Sequence, residues 1–248
     1  MKKYLPFIIL GLGVVVVAAA VFIFRGKKEQ TPVEETAPEI PFDLRPTTSL
    51  TPTSDGHWLN MKVENIQIDA ASMDYELLYS LPDGRTQGVP GTEKSLKKGA
   101  TVERKLLLGS ESSGKFRYDE GVSQGTLTLK FRDAKGKLVG KLSTDFHLQS
   151  MEKEVVDLTT VDDKFKFTPD EVPTKQEWFV TMETFGVPTP LPSSVSQGPY
   201  GIFSSDTNKI SGKVNLTGDV YELVADKWVG LENGEAENIG IFASVNPQ

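Results

Sequence analysis

Gly121-Val122-Ser123-Gln124-Gly125 has the G-x-S-x-G spacing of a nucleophile elbow, in which a serine sits on a sharp turn between a strand and a helix. The residues that follow alternate polar and apolar, as a strand does, so the match reads as a turn. Ser95…Lys98 and Ser112…Lys115 share the S-x-x-K spacing that sets a serine and a lysine on one helix face. Both stretches read as turns, and the companion motifs S-D-N and K-T-G do not occur. The two histidines are His57 and His147. His147 alternates with Asp145 and Gln149 on the polar side of a predicted strand, where Asp145 is a same-side neighbour. A dyad there would still need a nucleophile and an oxyanion site, so His147 reads as a surface residue.

Asp206-Thr207-Asn208-Lys209-Ile210-Ser211-Gly212 begins like a calcium loop. Ile210 stands where the third oxygen ligand belongs, and Gly212 comes one position late. Asp157, Asp162 and Asp163 are the other loop carboxylates that could serve calcium. A glycosidase pair would need two carboxylates about 5–9.5 Å apart across a cleft, which spacing along a chain does not reveal. Cysteine is absent, which excludes thiolate metal sites, cysteine nucleophiles and disulfides. This reading yields no catalytic, cofactor-binding or metal-ligating set and no cofactor. Trp58, Trp178 and Trp228, with Tyr200, are the candidate ligand-contacting residues. Aromatic faces stack on sugars and peptides, although a buried tryptophan more often fills a core.

The elements that would position these residues read as strands. Thr126-Leu127-Thr128-Leu129-Lys130-Phe131-Arg132 alternates with period two, and Leu138, Leu142, Phe146 and Leu148 repeat the pattern after the turn Asp133-Ala134-Lys135-Gly136. Met73, Tyr75, Leu77, Tyr79 and Leu81 form another face, closed by Pro82-Asp83-Gly84. A phase shift between Val63 and Ile66 predicts a bulge. About seven short strands over 57–150 predict an antiparallel β-sandwich. Weaker strand signals over 151–248, with a proline-rich loop at 186–199, predict a second β-rich domain; one larger β-domain from 57 to 248 is the alternative.

N-terminal to these, residues 1–4 form a short tail, and Leu5 to Phe24 is a run of 20 residues without a charge. Such a run spans roughly 30 Å as a helix, enough to cross a bilayer. It predicts a single-pass transmembrane anchor with the N-terminus inside and the body extracytoplasmic. Residues 25–56, rich in Pro, Thr and Ser, predict a disordered linker. Charge is uneven: residues 151–248 carry 7 basic and 16 acidic groups. An acidic distal half lacks the basic footprint of a nucleic-acid binder.

The fold class expected is therefore all-β: an anchor helix, a linker, and two antiparallel sandwich domains. At the level of architecture it resembles immunoglobulin-like and fibronectin-III-like modules. The stretch Tyr75–Gln149, with Glu103-Arg104-Lys105-Leu106-Leu107-Leu108-Gly109 and Thr144-Asp145-Phe146-His147-Leu148, resembles membrane-anchored surface proteins of bacteria. That resemblance implies location and fold. The expected role is a non-enzymatic binding or adhesion module, with a cell-wall polymer, glycan or envelope protein as partner beside the membrane. The alternatives are a component of an envelope, pilus or secretion assembly, and a wall-acting enzyme with an unrecognised carboxylate site.

Overall fold

Period-two alternation and closely spaced turn residues dictate strands, and the computed structural model, which describes residues 37–246, is all-β with antiparallel pairing throughout. The strands are β1 (Thr47–Pro52), β2 (Trp58–Ile66), β3 (Ser72–Ser80), β4 (Thr86–Lys94), β5 (Ala100–Leu107), β6 (Gly109–Ser112), β7 (Lys115–Tyr118), β8 (Gln124–Arg132) and β9 (Leu138–Met151). They continue with β10 (Leu158–Thr159), β11 (Lys166–Pro169), β12 (Glu177–Glu183), β13 (Val195–Ser204), β14 (Gly212–Asn215), β15 (Asp219–Val224), β16 (Lys227–Gly230), β17 (Glu235–Ala236) and β18 (Ile241–Val245).

Nine strands form one continuous sheet in the order β16-β15-β18-β13-β12-β9-β8-β3-β4. A three-stranded sheet, β1-β2-β5, closes a first hydrophobic core against β3, β8 and β9, with Leu59, Met61 and Val102 facing Leu77, Leu129 and Phe146. A four-stranded sheet, β10-β11-β14-β17, closes a second core, with Phe167 and Val214 against Phe179, Ile202 and Phe242. β6 and β7 stand apart as a two-stranded hairpin.

Strand parity locates the cores. Val180 and Met182 of β12 lie opposite Leu148 and Phe146 of β9 and belong to the first core. Phe179, one residue before Val180 and so on the other face, lies opposite Ser204 of β13 and belongs to the second. Because successive side chains point to opposite faces, the two small sheets cover opposite faces of the long one. β12 is buried on both sides, which is why Phe179-Val180-Thr181-Met182 reads as a near-continuous buried run. Near residue 150, where β9 ends, the long sheet continues, because β12 pairs with β9, and Val180 and Met182 beyond that point belong to the first core. The described residues lie within one compact unit.

The linker expectation is corrected from Ala37 onward. Ile40 is buried, Phe42–Leu44 makes a 3-10 turn, and Thr47–Pro52 is β1, paired with β2 from Thr47↔Glu64 to Pro52↔Leu59. Thr48 and Leu50 are fully buried. β-Branched threonines suit a pleated strand, and Pro52 is tolerated because β1 is an edge strand. The loop expected at 186–199 is also shorter, since β13 begins at Val195. Two register shifts against β18 accommodate Pro199 within it. The tail, the apolar run Leu5–Phe24 and residues 25–36 lie outside the described residues. Among the described residues no helix is long and apolar enough to cross a membrane.

Candidate functional site

The motif matches resolve into ordinary β-geometry. Ser123 leads directly into β8, and no helix follows it. Ser112 and Lys115 face each other as the last cross-strand pair of the β6–β7 hairpin. Ser95 lies in the turn after β4. His147 Nδ1 donates to the Thr159 carbonyl at 2.9 Å, whereas Asp145 accepts from Thr126 Oγ1 at 2.7 Å, so the two do not form a dyad. Asp206 pairs with Lys175 at 2.8 Å, Asp157 with Lys166 at 3.2 Å, and Asp162 with Lys164 at 2.8 Å. Asp157 is held below the usual carboxylate range chiefly by the hydroxyl of Thr168, against the opposing effect of burial. These aspartates are committed to lysines rather than gathered into a cage.

The four aromatic candidates separate. Tyr200 is buried, with its ring 5.2 Å from Phe165, and belongs to the second core. Trp228, on β16, is half-buried and donates its indole N–H to the Thr189 carbonyl at 2.7 Å. Trp178, on β12, packs its ring flat against Gly56, where a Cβ would come within 2.5 Å of Cε2. Trp58 starts β2, two residues beyond Gly56. Trp178 therefore buttresses the turn that carries Trp58.

That turn is built by short polar contacts. Thr53 N–H donates to the Trp58 carbonyl at 3.0 Å, and Trp58 N–H returns to Thr53 Oγ1 at 3.2 Å. Asp55 accepts from the Thr53 hydroxyl and from His57 N–H. Burial opposes the Asp55 charge, but these two donors outweigh it and hold its carboxyl below the usual range. His57 and Trp58 leave the turn side by side, and the β6–β7 hairpin covers them. Tyr118 stacks on His57 with ring centroids 4.2 Å apart and planes 7° from parallel. Phe116 meets Trp58 edge-on at 5.4 Å and lies parallel to Tyr118 at 6.3 Å. Lys105 Nζ stands 4.7 Å from the Trp58 ring centroid.

The hairpin is held at both ends. Its turn, Ser113-Gly114, has φ of +53° and +76°, the signature of a two-residue type I′ connection. At its base Leu108 is buried, donates its N–H to the His57 carbonyl at 2.9 Å and accepts from Asp119 N–H at 3.0 Å. Asp119 also accepts from the buried Tyr79 hydroxyl at 2.9 Å. Burial, and then Asp119, push the Tyr79 phenol pKa well above its ordinary value. Phe116 and Tyr118 nevertheless remain 46 % and 37 % exposed. They share one hairpin face with Glu111, which lies opposite Phe116, while Lys115 and Arg117 alternate onto the other face. The result is a rank of rings with an acceptor and cations at its margin.

Sequence reasoning named Trp58 but not Phe116, Tyr118 and His57, whose rings the structure gathers beside it. The signal was present: two aromatics at i and i+2 beside Ser-Ser-Gly, in a strand without one buried residue. No protein-family model matches the chain, and neither the curated proteins nor the solved structures give a match.

Proposed function

We propose that this chain is a non-enzymatic, single-pass membrane protein whose extracytoplasmic body binds a polysaccharide through the aromatic face of the β6–β7 hairpin. The carrying observation is the exposure of Phe116 and Tyr118 while Tyr118 stacks on His57 and Phe116 meets Trp58 edge-on. Large apolar side chains left in water are informative when they form one patch. Flat rings match the apolar faces of sugar rings, and Glu111 on the same face and Lys105 beside Trp58 offer an acceptor and a donor to hydroxyls. The uncharged run Leu5–Phe24 and the resemblance of Tyr75–Gln149 to anchored bacterial surface proteins support the location. The three strands β1-β2-β5 laid on β9-β8-β3-β4 favour an immunoglobulin-like sandwich, with a second sandwich built on the shared sheet. The envelope-assembly reading would use β4, the nine-residue edge of the long sheet. Pro90 at its centre lacks an N–H and blunts that edge.

The test takes the purified full-length chain in detergent and titrates chitohexaose, laminarin and soluble peptidoglycan fragments while following tryptophan fluorescence. At least one glycan should bind saturably, with Phe116→Ala and Tyr118→Ala each weakening it about 2- to 10-fold. Trp228→Phe, remote from the hairpin, should leave binding unchanged. Binding that survives the double substitution, or no binding to any of the three, sinks the proposal. Binding instead to anionic vesicles would assign the face to a membrane surface. Protease applied to intact cells should remove the body; a protected body would place it in the cytoplasm and refute the location.

A further inference from the structure

Glu222, in the second half of the chain, is largely buried, and no hydrogen bond or ion pair to its carboxylate is found among the described residues. Glu222 lies on β15, opposite Val229 of β16 and Phe242 of β18. Directly opposed residues share a face, so the fully buried Phe242 turns Glu222 toward the second core. Only 6 % of Glu222 is exposed. Burial, and then the neighbouring charge of Glu237, push its pKa up. Packing alone gives no reason for a carboxylate here, since an apolar residue would suit the face and avoid the cost of desolvation.

Glu222 borders a cleft of about 540 Å³ at the β16 edge of the long sheet. Val229, Leu231 and Ile239 give the cleft aliphatic walls, and its rim carries three carboxylates, Glu232, Glu235 and Glu237, against one cation, Lys209, so the rim is net acidic. Leu231 and Ile239 also pack on the second core, so these walls are fixed parts of the fold. Lys213 approaches Glu235 at 3.9 Å, while Glu232 and Glu237 have no ion pair among the described residues. The cleft thus joins a negative potential to apolar walls, with the least solvated carboxylate innermost. A hard metal ion is a poor occupant. Calcium needs about six to eight converging oxygens, and among the described residues no three acidic or histidine side chains come together as metal ligands.

We propose that this cleft binds an alkylammonium group carried on an aliphatic stem, with the ammonium donating to Glu222 and the stem lying on Leu231 and Ile239. The partner is a free polyamine or the lysine side chain of a peptide, which share this chemistry. An ammonium supplies the donors that Glu222 lacks and the charge that Glu232 and Glu237 attract. Four methylenes of a lysine-like stem cover apolar wall while the charged head stays paired. The inference stands apart from the aromatic hairpin and does not depend on it.

The experiment is isothermal titration of the full-length chain in detergent with two probes, cadaverine and Nα-acetyl-lysine methylamide, and with n-pentanol as an uncharged stem. At least one amine should bind saturably at one site, and pentanol should not. Glu222→Gln should weaken the amine at least about tenfold. Because substitution of a buried residue can disturb folding, the exposed Glu237→Gln is the second variant, expected to weaken binding about threefold with the fold intact. Binding of the acetyl-lysine assigns a protein-borne lysine, and binding of cadaverine alone assigns a free diamine whose second ammonium meets the rim. No saturable binding of either amine up to on the order of 10 mM overturns the proposal. So does equal affinity in the wild type and both variants, or full displacement of the amine by equimolar calcium.

Discussion

Gly109→Ala should open the aromatic hairpin while leaving the two cores folded. Gly109 has φ of +153°, and a Cβ there would stand 2.2 Å from the Arg117 carbonyl oxygen and 3.0 Å from Tyr118 Cα. Both obstacles are backbone, so no side chain can yield. An alanine must leave this conformation, at a cost of about 1–3 kcal/mol, or break the Gly109↔Tyr118 pair that sets the register of the hairpin. The hairpin has little with which to resist, because its four strand pairs bury no large side chain, and an isolated two-stranded ribbon is marginal in water. The ladder should therefore open, Tyr118 should leave His57, and glycan binding should fall with it. Since Leu108 and the sheets remain, the global loss is capped near the strain itself. At about 2–4 °C per kcal/mol for a body of this size, Tm should fall by no more than ~12 °C. Gly114→Ala is the comparison: its φ of +76° strains an alanine, but nothing lies within 4 Å of the added Cβ, so about 1 kcal/mol is expected. Amide exchange followed over residues 109–118 should show protection lost in Gly109→Ala and largely kept in Gly114→Ala. Retained protection in Gly109→Ala, with Tm within about 1 °C of wild type, would refute the close-approach argument. Global unfolding would refute the claim that the hairpin stands apart from the cores.

Two further substitutions probe the scaffold. Tyr79→Phe removes the hydroxyl that donates to Asp119 and should cost about 1.5 kcal/mol, read as a fall in Tm at neutral pH. The Tyr79 pKa is raised in the folded state. Its stabilisation is therefore full below the ordinary phenol value of about 10 and is lost as pH climbs beyond it, so the gap between wild type and variant should close in alkali; a gap constant to high pH would refute the assignment. Thr48→Val acts in the opposite direction. Thr48 is fully buried and its hydroxyl has no partner, so replacing it by an isosteric methyl should stabilise the protein by about 1 kcal/mol, and a denaturant midpoint that falls would contradict this.

The fold was legible where one face of a strand is wet. In β8 and β9 the polar and apolar residues alternate cleanly, and the predicted turn at Asp133–Gly136 forms as written, with Asp133 accepting from Lys135 N–H at 2.8 Å. The bulge predicted between Val63 and Ile66 appears as a register shift. Alternation fails as a guide at β12, because a strand covered on both faces has no polar phase, and nothing local says that it pairs with β9 rather than opening a new sheet. β1 was hidden for a different reason. Thr, Ser and Pro suit both extended linkers and edge strands, and only the docking of Leu50 into the first core and the bond from Thr48 N–H to the Thr184 carbonyl decide between them. Alternation gives no guide to Glu222 either: Val220 and Val224 share its phase, but Tyr221 and Leu223 make the other phase of β15 equally apolar.

The two candidate surfaces differ in ways that follow from where each stands. The hairpin extends from the end of β5, outside both cores, so its rings are held by stacking and by the Leu108 and Tyr79 contacts rather than by burial. That arrangement suits a flat, hydroxyl-rich chain that can slide across rings. The cleft lies at the opposite margin of the long sheet from β4, and its carboxylate is fixed by the ladder between β15 and β18, which suits a single charged group entering one position. Nine strands at ~4.8 Å spacing put the β16 and β4 edges roughly 38 Å apart. The hairpin pairs with no strand of that sheet among the described residues, so the two surfaces share no ladder. Ligand at the hairpin should then leave the amine affinity of the cleft unchanged, because a ligand alters a distant site only through an element that both sites share, and no ladder joins these two.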